Sequence, residues 1–89
     1  FYMFLHIGDN YIVNENDLIM ICNIESMKDT KEYKKLMKEL KERHNLKGEK
    51  DIDPKSFIIT KENNKIVGYE TNISSITIAK RAQMNKEIK

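Results

Sequence analysis

The strongest constraint on the fold is one amphipathic helix set between two groups of β-type runs. From Lys31 onward, Tyr33, Leu36, Met37 and Leu40 fall at i, i+3, i+4 and i+7, which on a 3.6-residue helix makes one apolar stripe. Before it come Met3-Phe4-Leu5-His6-Ile7, Tyr11-Ile12-Val13 and the apolar stretch of residues 18–24, separated by Gly8-Asp9-Asn10 and Asn14-Glu15-Asn16-Asp17. Polar breaks of this kind punctuate strands. The first two runs predict a hairpin, and the third predicts a strand buried on both faces. After the helix, Ser56-Phe57-Ile58-Ile59-Thr60 and Ile66-Val67-Gly68-Tyr69-Glu70 predict two strands joined through residues 61–65. A second helix is expected from about Ile76 to Ile88, with Ile76, Ala79, Ala82 and Gln83 on one side.

The predicted order is therefore β-β-β-α-β-β-α: an α+β domain with a small antiparallel sheet and two helices packed on it. No strand–helix–strand alternation recurs, which argues against a wound parallel sheet. At 89 residues the chain holds one domain, expected over residues 3–88, with Met3 as its start and Phe1 and Tyr2 outside it. So small a domain buries a modest share of its surface, and a partner subunit would add to its stability. Ser26 or Thr30 can cap the first helix, Leu46 can extend it, and Gly48 is expected to stop it. Lys35–Glu39, Lys38–Glu42 and Glu39–Arg43 have the spacing of i,i+4 ion pairs on its outer face. Gly68 predicts a bulge or a close approach.

The chemistry-bearing residues give little purchase for catalysis. Cys22 lacks a second thiol for a disulfide or zinc site and is expected to be a buried small hydrophobe. His6 and His44 stand far apart with no second ligand at local spacing, so no metal and no cofactor is expected, and His6 reads as a strand histidine with its polar tip hydrogen-bonded. The glycines are isolated, which excludes a phosphate-cradling loop. Ser74 and Ser75 precede a helical stripe and read as caps rather than nucleophiles. No small-molecule substrate is implied. No apolar run has the length of a membrane span, so a cytoplasmic protein without membrane contact is expected.

Charge is distributed unevenly. Residues 1–27 contain Asp9, Glu15, Asp17 and Glu25 and no lysine or arginine, a net of −4. Residues 28–50 carry nine basic and five acidic side chains, and residues 51–89 carry seven and five. Such asymmetry suits head-to-tail self-association or one basic face against a polyanion. The lysine-rich face of the first helix is the most tempting binding surface, but its interspersed glutamates favour a solvated, ion-paired face. In the second helix Lys80, Arg81 and Lys86 suit the negative end of the dipole as well as a phosphate.

Taken together, several segments resemble the bacterial extracellular-matrix regulatory (Rem) proteins. Met3-Phe4-Leu5-His6-Ile7-Gly8, Tyr11-Ile12-Val13 and the strand at residues 18–22 are similar to that family's opening. Lys55-Ser56-Phe57-Ile58-Ile59-Thr60 is similar to its central strand, and Ile73-Ser74-Ser75-Ile76-Thr77-Ile78-Ala79-Lys80-Arg81-Ala82 to its closing helix. The His-Ile-Gly opening and the Ser-Ser-x-Thr ending resemble the B-type members. The resemblance implies a non-enzymatic regulator of biofilm-matrix genes, a homo-oligomer of ring type, and double-stranded DNA as a partner. A-type members use arginines at the start of the third strand and just before the central strand. Here those places hold Asp17 and Ile52-Asp53-Pro54. Acidic replacements repel phosphate.

Two functions follow. The first is a DNA-binding transcriptional regulator contacting phosphates through Lys55, Lys80 and Arg81, repeated around an oligomer. The second is a self-assembling interaction module that has lost DNA binding, its acidic first 27 residues facing a neighbour's basic helix. An enzyme stands third, because no nucleophile–base or metal constellation is legible.

Overall fold

A computed structural model of the chain describes residues 4–8, 10–48 and 53–87, with side chains described through Ala82. The expected start at Met3, the position of Ile52 and the helix end at Ile88 lie outside the described residues. β1 (Phe4–Gly8) and β2 (Tyr11–Asn14) form an antiparallel hairpin. A 3-10 turn (Glu15–Asp17), capped by the Asn14 side chain, leads into β3 (Leu18–Asn23). A single helical turn, α1 (Ile24–Met27), precedes α2 (Lys31–Glu42). Then come β4 (Leu46–Gly48), β5 (Ser56–Glu62), β6 (Lys65–Thr71) and α3 (Ser75–Glu87).

β5 is the centre of the molecule. Every residue from 56 to 60 is buried, and the four-stranded sheet runs in the order β3-β5-β6-β4. Successive side chains of a strand point to opposite faces. Phe57 and Ile59 therefore meet Cys22, Ile24 and Leu40, a cluster completed by Tyr33, Leu36 and Met37 of the α2 stripe. Ile58 faces the other way and joins Val67, Tyr69, Leu5, Ile7, Val13, Ile78 and Ala82. The result is three layers: α2, the four-stranded sheet, and a mixed layer of the β1–β2 hairpin with α3.

Two local features fix this packing. Asn63 and Asn64 both take positive φ, 51° and 64°, the type I′ geometry whose twist matches that of a hairpin, so β5 and β6 pair in register from Ser56–Thr71 to Glu62–Lys65. At Gly68 a Cβ atom would lie 2.6 Å from Phe57 Cζ and 2.7 Å from Leu40 Cδ1. The expected close approach is thus the seating of α2 on the sheet.

The α+β class and the main order of elements agree with the sequence reading, and the structure adds a strand and a helical turn. The sheet is not wholly antiparallel, because β4 runs parallel to β6. α2 ends at Glu42, where Thr30 rather than Ser26 caps its start (Tyr33 N–H to Thr30 Oγ1, 3.2 Å). His44 then takes φ 57°, and the Asn45 carbonyl accepts from the Gly68 N–H at 3.0 Å, which lays Leu46 beside β6 instead of extending the helix. Gly48 is accordingly a strand residue pressed against Glu70, not a helix stop.

Three further expectations are corrected. Residues 18–23 form an edge strand, leaving Ile19 52% and Met20 48% exposed, while β5 is the strand buried on both faces. Ile24 opens α1, with Asn23 Oδ1 accepting from the Glu25 N–H at 2.9 Å. Among the described residues the one ion pair is Lys28–Glu25 at 3.3 Å, and none of the three expected i,i+4 pairs on α2 forms. Exposed pairs gain so little that lysine rotamer entropy competes with them.

Candidate nucleic-acid interface

Lys55 is the last residue before β5, and its backbone is held from both sides. Its N–H donates to the Thr71 carbonyl at 2.8 Å, and its carbonyl accepts from the Ile24 N–H at 3.0 Å. The side chain is exposed beside a cleft of about 280 Å³, lined also by Asn23, Glu25, Asp53, Ser74 and Ile76. The start of α3 forms one wall. Ser74 Oγ accepts from the Thr77 N–H at 3.2 Å, as the capping reading expects. Buried Ser56 donates its hydroxyl to the Ile73 carbonyl at 2.7 Å, and Thr71 Oγ1 accepts from the Ile73 N–H at 3.1 Å. These bonds tie the entry of α3 to β5 and β6, next to Lys55.

Lys80 is exposed and stands at i+4 from Ile76, on the side of α3 that borders the cleft and one turn further along. Arg81 points elsewhere. Adjacent helical residues are about 100° apart, and the half-buried Arg81 donates from Nη1 to the His6 carbonyl at 3.0 Å. The structure thus sets Lys55 at the cleft by the start of α3, leaves Lys80 outside the lining of that cleft, and turns Arg81 onto the hairpin. One of the five guanidinium donors is used there, leaving the others for a phosphate.

The cleft is not uniformly positive. Asp53 and Glu25 line it with Lys55, and Glu25 is engaged by Lys28. Asp17 closes the 3-10 turn before β3. His6 is exposed, and the bond described at this residue is made by its backbone rather than by its ring. Cys22 is a free, buried thiol, and burial pushes its pKa up. No group of three or more His, Cys, Asp or Glu able to hold a metal occurs among the described residues. No helix is long and apolar enough to cross a membrane among them.

One polar cluster escaped the sequence reading. Thr60 Oγ1 and Tyr69 Oη both donate to Glu62 Oε2, each at 2.6 Å. The Tyr11 ring meets Tyr69 edge-on, and Lys47 Nζ lies 5.7 Å from the Tyr69 ring centre. Burial pushes the Glu62 carboxyl up, but the two hydroxyl donors and the Lys47 charge outweigh it and hold the pKa below the usual value. Burial, together with that carboxylate, raises the pKa of Tyr69. The available signal was the i, i+2 spacing of Thr60 and Glu62, which places both on one face of β5.

Fold and surface together define a small three-layer α+β domain with exposed basic residues beside its last helix. Over 88 residues, 97% of this chain, it is 30% identical to Extracellular matrix regulatory protein B of Bacillus subtilis (strain 168), of which it covers 98%. The chain belongs to the extracellular matrix regulatory protein family. No family model matches it.

Proposed function

We propose that this protein is a regulator of extracellular-matrix genes that acts by binding rather than catalysis, as an oligomeric DNA-binding transcriptional regulator of the cytoplasm. The observation that carries the regulatory role is likeness along nearly the whole chain to a protein named for it. DNA binding rests on Lys55, exposed at the cleft by the start of α3, and on Lys80, exposed one turn past Ile76, with Arg81 on the adjoining side of the helix. Each neutralised phosphate contributes about −0.9 to the slope of log K against log salt. Two or three such contacts per chain are weak alone and gain avidity when repeated around an oligomer. Anisotropy of labelled duplex DNA over a salt series tests this: binding at low salt that falls steeply as salt rises is expected. No binding at low salt would sink it.

A second reading, a self-assembling interaction module that does not bind DNA, is favoured by Asp53 and Glu25 beside Lys55. Under it the protein associates with itself but leaves the duplex free at every salt concentration.

A further inference from the structure

α2 carries an open groove of about 490 Å³ along one flank. Its apolar lining is Tyr33 and Met37, and its rim is Lys34, Lys38 and Lys41 with a single acid, Glu42. Among the described residues none of the three lysines has a carboxylate partner. The opposite character is found at β3. Ile19 sits in the bulge between Leu18 and Met20, both Ile19 and Met20 are about half exposed, and Asp17 and Glu15 precede them. Met20 pairs with Ile59, so it lies on the face of the sheet that α2 covers, at its open edge. Edge strands are normally blunted by lysine or proline. β3 has neither.

We infer that the α2 groove receives the β3 edge of a second copy of this chain. Ile19 and Met20 would seat against Tyr33 and Met37, and Asp17 would lie against the lysine rim. Two observations select a second copy. Residues 1–27 carry −4 with no basic side chain while residues 28–50 carry nine basic residues against five acidic ones, so the complement of each patch is on the same chain. Each patch also pairs an apolar floor or knob with charge that is mainly of one sign, the pattern of an interface core with a charged rim. This inference rests on the self-association part of the proposed function, and leaves Lys55 and Lys80 for DNA.

Charge reversal tests it by light scattering after size exclusion. Asp17→Lys in one variant and Lys34→Glu/Lys38→Glu/Lys41→Glu in another each place like charges across the contact. Each alone is expected to run as a smaller species with wild-type circular dichroism, and an equimolar mixture to regain the wild-type mass. Should the triple variant fail to fold, Lys38→Glu alone is expected to weaken association by at least about tenfold. Wild-type mass in either variant alone overturns the contact and leaves self-association standing. A monomeric wild type at high concentration overturns both. Loss of duplex binding by the triple variant at unchanged mass would make the groove a nucleic-acid surface, and also overturns the inference.

Discussion

Arg81 Nη1 donates to the His6 carbonyl at 3.0 Å, across 75 positions of sequence, and so ties the last helix to the first hairpin. Replacing it with alanine removes this bond and a charge. A hydrogen bond to a charged group contributes about 1.5–3 kcal/mol, and a solvent-exposed one such as this falls below that range. Arg81→Ala is therefore expected to lower the unfolding free energy by about 1 kcal/mol or less, read as a lower urea midpoint at unchanged m. Its DNA affinity should also fall, with the salt slope reduced by about 0.9 if the free donors reach a phosphate. Urea titration and anisotropy on the same preparation separate these two effects.

Gly68 is where α2 comes closest to the sheet. A Cβ there meets Phe57 and Leu40 at 2.6–2.7 Å, and the Phe57 ring has no room to retreat because it is fully buried. Gly68→Ala should cost about 1–3 kcal/mol through overpacking. Leu40→Ala alone should cost about 2–5 kcal/mol through the cavity it leaves. The double variant is expected to cost less than the sum, since removing Leu40 opens space for the new methyl. A strictly additive result in chemical denaturation would show that Leu40 is not what the methyl strikes.

The Glu62 cluster predicts a pH dependence at both ends. Its carboxyl pKa is lowered in the folded protein, by Thr60, Tyr69 and Lys47 against burial, so its contribution is present above the ordinary carboxylate range and lost as pH falls through the lowered value. Tyr69 is raised, by burial first and then by Glu62, so its contribution is full below the ordinary phenol value of 10.0 and lost as pH rises beyond it. Glu62→Gln should flatten the acid limb of the stability profile, and Tyr69→Phe the alkaline limb. Thermal melts across pH check both, and an unchanged acid limb in Glu62→Gln would remove the carboxylate from the account.

Different parts of this fold were legible to different degrees. Tyr33, Leu36, Met37 and Leu40 announced α2 because a helical stripe spans enough residues to be unambiguous. Ser74 announced the start of α3 because capping is local chemistry. β4 was hidden, since three residues carry no period and Leu46 continues the helical spacing until His44 breaks it. The edge position of β3 was hidden for another reason. Its residues are as apolar as those of β5, and which strand lies inside is decided by pairing across the sheet, not by either strand's composition. The candidate site shows the same division. Lys55 and Lys80 were identifiable as basic residues, but that Lys55 lines a cleft at the start of α3 while Arg81 turns to β1 depends on contacts between distant segments.

Under the proposed DNA-binding function, Asp53 is expected to limit the affinity of this surface. It lines the cleft with Lys55, in the segment where A-type relatives are expected to carry arginine, and a carboxylate there repels the phosphate that Lys55 would bind. Asp53→Lys is expected to tighten duplex binding at low salt and to steepen the slope of log K against log salt by about 0.9 if one more phosphate is neutralised. Lys55→Ala and Lys80→Ala should each weaken binding evenly across duplex sequences and reduce the slope by about the same amount, because phosphate contacts carry no base information. All three side chains or their neighbours are exposed, so circular dichroism and melting should stay near wild type. Slopes that move in these opposite directions place the phosphates along this side of α3. Equal slopes for wild type, Asp53→Lys and Lys80→Ala would place them elsewhere on the molecule.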